Sequence, residues 1–453
     1  MPDDPARVQL TGWGRTAPTP ADLTPVRGED DARAVLAGRP ARGIVARGLA
    51  RSYGDAAQNA GGTALDMTAA DRVLDVDLGS GEIEVEAGIS LDRLMGLFVP
   101  LGLFVPVTAG TRYVTVGGAI AADIHGKNHH LAGSFSRHVA WLDLLLADGT
   151  VRRVGPDRNA ELFWATAGGM GLTGVILRAR VRMKPIETSQ LLVDTDRAPD
   201  LDALLTLMTD YDHLYDYSVA WIDCVARGRR MGRSVLTRGR FARRDELPPR
   251  RRADPLRYSA SVRLSAPDVF PPRLLNRATV AAFNELWYRK APQRRRDQLQ
   301  GMPAFFHPLD GVGEWNRIYG PRGFVQYQFV VPFGREEALR EALLRISSAG
   351  TASFLAVLKR FGEGDPGMLS FPAPGWTLAL DIPVGGGRLA GLLDGLDELV
   401  AGAGGRIYLA KDSRLRAETF ERMYPELDRF RKVRAHVDPE GVFTSDLARR
   451  LSL

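Results

Sequence analysis

Residues 110–130 constrain this chain more than any other stretch. They set two adjacent glycines, Gly117 and Gly118, ahead of a small-residue run from Ala119 to Ala122, and then His125, Lys127, His129 and His130. A glycine pair can bring backbone N–H groups against a ligand because no Cβ holds the ligand off. After the β-branched Thr115 and Val116 the same pair also reads as a bulge or turn. The small run suits backbone packed against something flat, and the histidines and lysine add titratable groups beside it. The stretch therefore reads as the wall of a site for a buried anionic ligand. It does not read as a metal site, because Gly126 interrupts any helix that would present the histidines together and no cysteine is near.

Composition narrows the classes. At 453 residues the chain exceeds one simple core and suggests two domains or a large composite. With 45% hydrophobic and 25% charged residues it is an ordinary soluble globular chain. No apolar run reaches spanning length, and the opening Met1 to Pro5 lacks the pattern of a signal peptide. The one cysteine, Cys224, excludes an intrachain disulfide and reads as packing. The net charge of +6 is gathered in arginine-rich runs at 227–233, 243–244, 250–252 and 294–296. Such runs form solvated faces or sit against anionic lipid or phosphate. Scattered over loops and without an RRM, helix-turn-helix or zinc pattern, they do not describe a nucleic-acid-binding protein.

A second glycine-rich segment stands upstream. Thr11 to Thr16, around Trp13, reads as an ordered arm. A short strand, Ile44 to Ala46, then enters a loop carrying Arg47, Gly48, Arg51, Ser52, Tyr53 and Gly54, a composition suited to an anion-binding nest of successive N–H groups. Strands are expected at 64–67, 73–76, 83–87 and 139–147, the last turning at Asp148-Gly149 into 150–154; helices are expected at 91–99 and 161–165. Gly169-x-Gly171-x-x-Gly174 is nominally a dinucleotide fingerprint, but a helix precedes it and the strand 175–183 follows, the reverse of the order that motif requires. It reads instead as a tight, ligand-facing turn.

From about residue 188 glycine thins and aromatic residues increase. Strands are expected at 217–224, 324–332, 353–358 and 377–382, with helices at 335–349 and 389–402, giving an antiparallel sheet covered by helices on its outer face. The segments 240–275 and 289–304 read as long Arg- and Pro-rich loops. A strand at 407–410 leads to Lys411.

Both glycine loops, the Leu146 to Thr150 hairpin, the 168–174 turn and the terminal Asp438-Pro-x-x-Val-Phe443 occur in the order found in flavin oxidoreductases of the vanillyl-alcohol-oxidase type, which this chain resembles. The strings at 10–16, 118–130, 285–290, 313–317, 326–330 and 410–414 extend the resemblance over essentially the whole chain, to members that oxidise a polyprenyl-phosphate sugar. The resemblance implies an α+β fold: an FAD-binding domain at 1–187, an inserted substrate domain at 188–404 and a C-terminal return at 405–453. It implies FAD, held non-covalently although some members attach it at the position of His125. It also implies hydride removal from the ribose 2′-carbon of polyprenylphosphoryl ribose. A separate NADH-dependent keto-reductase would complete the epimerisation to arabinose for cell-wall arabinan, with a quinone or another acceptor reoxidising the flavin. Peripheral attachment to the cytoplasmic or periplasmic face of the inner membrane goes with that substrate. A soluble alditol or aldonolactone oxidase of the same fold is the alternative.

By the same resemblance Arg47, Gly48, Arg51, Ser52, Tyr53, Gly54, Gly110, Thr115, Gly117, Gly118 and Ala121 hold the pyrophosphate side. Asp123, His125, Asn128 and His129 line the cofactor, and Ile176 and Tyr408 cover its rings. Lys127, Trp221, Gln326, Gln328, Val357, Lys359, Phe361, Ala379 and Lys411 face the substrate, with Lys411, Tyr53 and His125 catalytic. Lys411 would place its ammonium at the flavin's anionic edge or the substrate hydroxyl; without the resemblance it reads as a surface lysine at a strand end. Ala379 stands where relatives often carry a cysteine.

Overall fold

A computed structural model describes residues 6–262, 264–270, 275–350, 353–385 and 387–453. Three sheets carry the architecture. The first has the order Ala6–Leu10, Thr19–Pro25, Thr63–Asp66, Ile44–Arg47, antiparallel in its first pair and parallel in the other two. The far end of the chain closes on it, because Phe443 bridges to Ile44 and Ile44 N donates to Val442 O.

The second sheet, wholly antiparallel, runs Val73–Asp77, Glu82–Glu86, Val175–Arg182, Val139–Leu145, Val151–Val154. Side chains alternate across a strand, so Ile83, Val85, Ala179 and Val181 enter the core while Glu82, Glu84 and Glu86 stand opposite Arg182, Arg180 and Arg178 on the other face. The helix Leu91–Phe98 is capped by the Ser90 hydroxyl and buries Leu91, Leu94, Met95 and Phe98 against this sheet's core.

The third sheet has eight antiparallel strands in the order Arg294–Gly301, Gln190–Ala198, Ser234–Phe241, Tyr217–Ile222, Ala356–Phe361, Gly375–Pro383, Phe324–Pro332, Arg406–Ile407. Helices Leu201–Tyr211, Glu336–Ala349 and Leu389–Gly402 cover one face, burying Leu204, Met208, Leu343, Ile346, Leu396 and Val400 against Leu236, Leu358, Leu378 and Phe329. The opposite face is left for the site.

The 168–174 segment is a turn between helix Ala160–Thr166 and strand Val175–Arg182. Gly168, Met170 and Gly171 have positive φ, and the N–H groups of Gly168 and Met170 bond the carbonyls of Ile120 and Ala121. Several expectations need correction. The segment 289–304 is not a loop: helix Arg277–Lys290 runs into the edge strand Arg294–Gly301 and then helix Met302–Phe306. Its run of three arginines hides the strand, and one of them crosses the edge, Arg296 pairing with Asp194 and Asp196. The strand expected at 353–358 lies at Ala356–Phe361, and that at 407–410 shrinks to Arg406–Ile407, so Tyr408 and Lys411 sit on a turn. Strands Gln190–Ala198 and Ser234–Phe241 have no clear pattern in the sequence, because Asp196 and Arg238 pair inside the sheet and break the apolar alternation.

Candidate active site

A cavity of about 1240 Å³ lies between the two glycine loops and the uncovered face of the eight-stranded sheet. Gln328, Ala379, Val357, Trp221 and Val235 stand directly opposite one another on five neighbouring strands and form one row of its floor. Residues directly opposite in an antiparallel ladder share a face, which is how distant stretches of sequence meet in one row. Gln326 and Lys359, two residues along their strands, continue the same surface.

The upstream loop is built as expected around a nest. Gly48 is obligatory, because a Cβ there would lie 2.3 Å from Thr115 Oγ1. Among the described residues the N–H groups of Leu49, Ala50, Arg51 and Ser52 meet no protein acceptor, and Ala50 has a φ of +55°. Successive open N–H groups with a left-handed residue among them make an anion-binding concavity. Arg47 lines the cavity and is also tied to the protein. It donates to Ala57 O at 2.6 Å and Thr11 O at 2.7 Å, bracing the loop from behind. Arg51 lies 3.8 Å over the Trp13 ring.

The glycine pair works differently from the expectation of bare donors. Gly117 N donates to Ala87 O at 2.8 Å, and Gly118 N to the Thr115 hydroxyl that caps helix Val116–Ala121. What the pair supplies is proximity: a Cβ on Gly117 would come within 3.0 Å of that of Ala87. Gly110, Thr115, Ala121, Ile176 and Tyr408 line the cavity with them, and the Tyr408 hydroxyl donates to Ala122 O.

Five of the expected residues do not face the cavity. A Cβ on Gly54 would fall 1.9 Å from Asp412 O, so this glycine locks its loop onto the turn that carries Lys411. Asp123 accepts from Ser136 N and Ser370 Oγ, and burial pushes its carboxyl up to about 6. Asn128 donates to Pro106 O at 2.9 Å. His129 accepts from Gly362 N, with its ring 4.5 Å from that of Phe361; Phe361 in turn lies 4.8 Å from His125. They support the wall that the others expose.

The wall is electropositive and partly neutralised. Burial lowers Lys127, Lys359 and Lys411 each to about 7, helped at Lys127 and Lys411 by Lys359. Their partial exposure is to the cavity they line. Lys127 donates to Phe305 O and lies 4.5 Å from the Phe305 ring centre. Burial, then Lys359, His129 and Lys411, hold His125 well below the usual histidine range, so the imidazole is neutral. Gln328 Nε2 donates to His125 Nε2 at 2.9 Å, which leaves the proton on Nδ1. That Nδ1 is buried and has no protein partner among the described residues. An orphaned N–H, an open run of backbone donors and a cradle of glycines fit a flat anionic cofactor such as FAD.

Sequence reasoning missed Asp381. It is buried and accepts from Gln326 Nε2 at 2.5 Å. The signal was available, since Asp381 is the sole charged residue of strand Gly375–Pro383, whose other residues are apolar but for Thr377. It also missed the apolar part of the lining, Val262, Phe283, Trp287, Leu309, Val312 and Phe354, of which Val262, Phe283, Trp287 and Val312 are exposed.

Comparison with known proteins agrees with this geometry. A family profile described as an FAD binding domain matches residues 26–155, and one described as D-arabinono-1,4-lactone oxidase matches residues 392–451. The chain is 49% identical over 452 residues to the decaprenylphosphoryl-β-D-ribose oxidase of Mycolicibacterium smegmatis, covering 98% of this chain and 97% of the relative. An uncharacterised Streptomyces coelicolor protein is 47% identical over 374 residues, covering 81% of this chain and 100% of its own. Among solved structures, Physcomitrella patens BBE-like 1 superposes with a TM-score of 0.66 over 94% of this chain and 90% of that one, at 13% identity, a likeness of fold alone.

The fold and the site therefore define an FAD-dependent oxidoreductase with an α+β architecture. Within that class the chain belongs to the decaprenylphosphoryl-β-D-ribose oxidase family.

Proposed function

We propose that the chain oxidises the 2′-hydroxyl of decaprenylphosphoryl-β-D-ribose to the 2′-keto sugar lipid. The observation that carries this reading is the convergence of Lys127, Lys359 and Lys411 on a cavity that is also lined by the solvent-exposed apolar side chains of Phe283, Trp287 and Val312. An anionic headgroup on a long hydrocarbon tail matches that division. Bound FAD supplies the hydride acceptor. The chain's own residues do the rest. Leu49 to Ser52 hold the pyrophosphate, and Gly117 and Gly118 let the flat cofactor lie close. His125 presents a neutral Nδ1–H, and Gln326, Gln328 and Trp221 orient the sugar. Lys411, lowered toward neutrality, accepts the hydroxyl proton, with Tyr53 beside it. In this reading residues 1–187 and 405–453 bind FAD, and 188–404 bind substrate.

The product is a ketone, so an NADH-dependent keto-reductase must follow to complete the epimerisation, and a quinone or comparable acceptor must take the flavin's electrons. No helix among the described residues is long and apolar enough to cross a membrane. Exposed Leu264, Val269, Leu286 and Trp287, with Lys290, Arg294 and Arg295 nearby in the chain, support peripheral contact with an anionic lipid surface. The match of residues 392–451 to a lactone oxidase profile keeps a soluble aldonolactone or alditol as the second reading. The test is the visible spectrum of the purified protein under anaerobic addition of each compound. Bleaching by polyprenylphosphoryl ribose and not by free alditol or lactone is expected; the reverse overturns the reading.

A further inference from the structure

Asp381 lies in a strand of which every residue but Pro383 is buried. Its carboxylate accepts from Gln326 at 2.5 Å and from the Tyr319 hydroxyl at 3.3 Å, and among the described residues it enters no ion pair. Both donors are neutral. A carboxylate removed from water on such terms is costly unless a cation shares its field. Lys411 is the cation at hand. It too has no carboxylate within ion-pair distance among the described residues, and its Nζ rests 3.9 Å from the centre of the Tyr53 ring. The Tyr53 ring lies 5.5 Å from that of Phe324, which stacks at 4.0 Å on Tyr319, the donor to Asp381. A continuous chain of contacts therefore runs from Lys411 through Tyr53, Phe324 and Tyr319 to Asp381, while Lys411, Tyr53 and Gln326 line the cavity and Asp381 is buried behind them.

We propose that Asp381 is a positioning residue: its carboxylate, fixed by Gln326 and Tyr319, stabilises the ammonium that Lys411 becomes on taking the substrate's hydroxyl proton. The source of that proton rests on the function proposed above. In the step the O–H bond breaks and an N–H bond forms on Lys411. The C–H electron pair leaves with its hydrogen to FAD, and the carbinol carbon becomes a carbonyl. Other groups bear on the lysine. Lys359, on the strand beside that of Asp381, pushes its affinity for a proton down, and Asp381 pulls it up. His125 is neutral, and Asp412, next in sequence, is engaged by Arg450 at 2.9 Å.

The experiment is the midpoint potential of the protein-bound flavin against pH, by equilibration with redox dyes, in the holoenzyme and in Asp381→Asn and Tyr319→Phe. Burial raises the Asp381 carboxyl to about 7, where it also lowers Lys411, so the two titrate together. A cation beside the flavin favours its reduced form, so the ionisation of this pair appears as a break in the curve near pH 7. Asp381→Asn is expected to move the break down by about one pH unit. Tyr319→Phe, which removes one donor and makes the carboxylate less acidic, is expected to move it the same way by less. If Asp381→Asn does not fold, Tyr319→Phe decides. A break that stays in place in the folded variants overturns the proposal, as does no break in the unmodified protein, because a purely structural carboxylate would move nothing. The sugar lipid takes no part in the titration, so a wrong substrate assignment leaves this result standing.

Discussion

Lys411 Nζ lies 3.9 Å from the centre of the Tyr53 ring, although the two residues come from opposite ends of the chain. The contact is held by backbone on both sides. Tyr53 N donates to Ala410 O at 2.9 Å, and Gly54 packs onto Asp412. The ring face attracts the ammonium and keeps the lysine turned into the cavity.

Lys411→Ala should therefore keep FAD and lose reduction. The pyrophosphate nest and the glycine cradle do not involve the lysine, while the proton acceptor is gone. The rate of anaerobic flavin bleaching by substrate should fall about 10²- to 10⁴-fold, the usual range for a positioned acid or base. Near-normal bleaching in stopped flow would refute the role.

FAD should be bound without a covalent link. Acid precipitation should leave the yellow colour in the supernatant, and flavin retained in the pellet would contradict this. Gly48→Ala sets a methyl against the Thr115 hydroxyl and should lower FAD occupancy at least about tenfold, read as the ratio of visible to ultraviolet absorbance.

Ligand binding should take up protons. Lys127, Lys359 and Lys411 are lowered by burial to about 7, so at pH 8 they are mostly neutral. A phosphate beside them raises their affinity for protons. Titration calorimetry with a short-chain polyprenyl phosphate, in buffers of different ionisation heat at pH 8, should show net uptake. The same shifts make the unfolded chain bind more protons than the ligand-free fold between about pH 7 and 10, so stability rises with pH across that window. A thermal midpoint that falls from pH 7 to pH 9 would contradict the assignment.

Binding to liposomes should need anionic lipid and weaken with salt. Leu286→Ser with Trp287→Ser should reduce flotation several-fold while leaving the FAD spectrum unchanged, because both side chains are exposed. Flotation that ignores both salt and the substitutions would argue against this surface.

Ala379 lines the cavity floor opposite Val357 and Gln328. It has no nucleophile, so a nitroaromatic compound reduced at the flavin should leave no covalent adduct, whereas Ala379→Cys should gain one. Cys224 will not substitute for it, being buried, with its thiol pushed well up by burial. Intact mass after turnover tests both proteins, and an adduct on the unmodified chain would mean that another nucleophile lies within reach of the flavin.

The parts of the fold legible in the sequence were those where apolar periodicity is unbroken. Strand Phe324–Pro332 and helix Leu389–Gly402 lie where their patterns put them. Strands Gln190–Ala198 and Arg294–Gly301 did not show, because Asp196 and Arg296 find each other across the ladder and no single-strand pattern records a pairing. The site was legible to the same degree. Both glycine loops and the three lysines meet in one cavity, but the division of Gly117 and Gly118 from the open donors at 49–52 depends on where Ala87 and Thr115 stand. Asp381 is not legible from its own strand, because its partners Gln326 and Tyr319 lie far from it in sequence.

The closure of the first glycine loop by Ala410 and Asp412, and of the first sheet by Phe443, fixes an order of events during synthesis. A ribosome that has made the whole FAD-binding profile, residues 26–155, has not yet made the strap that shuts it. Until the closing segment emerges, the nascent chain carries the pieces of a cofactor pocket without its lid. Holoprotein is therefore a product of complete translation, and a chain stalled before the Lys411 turn should accumulate colourless.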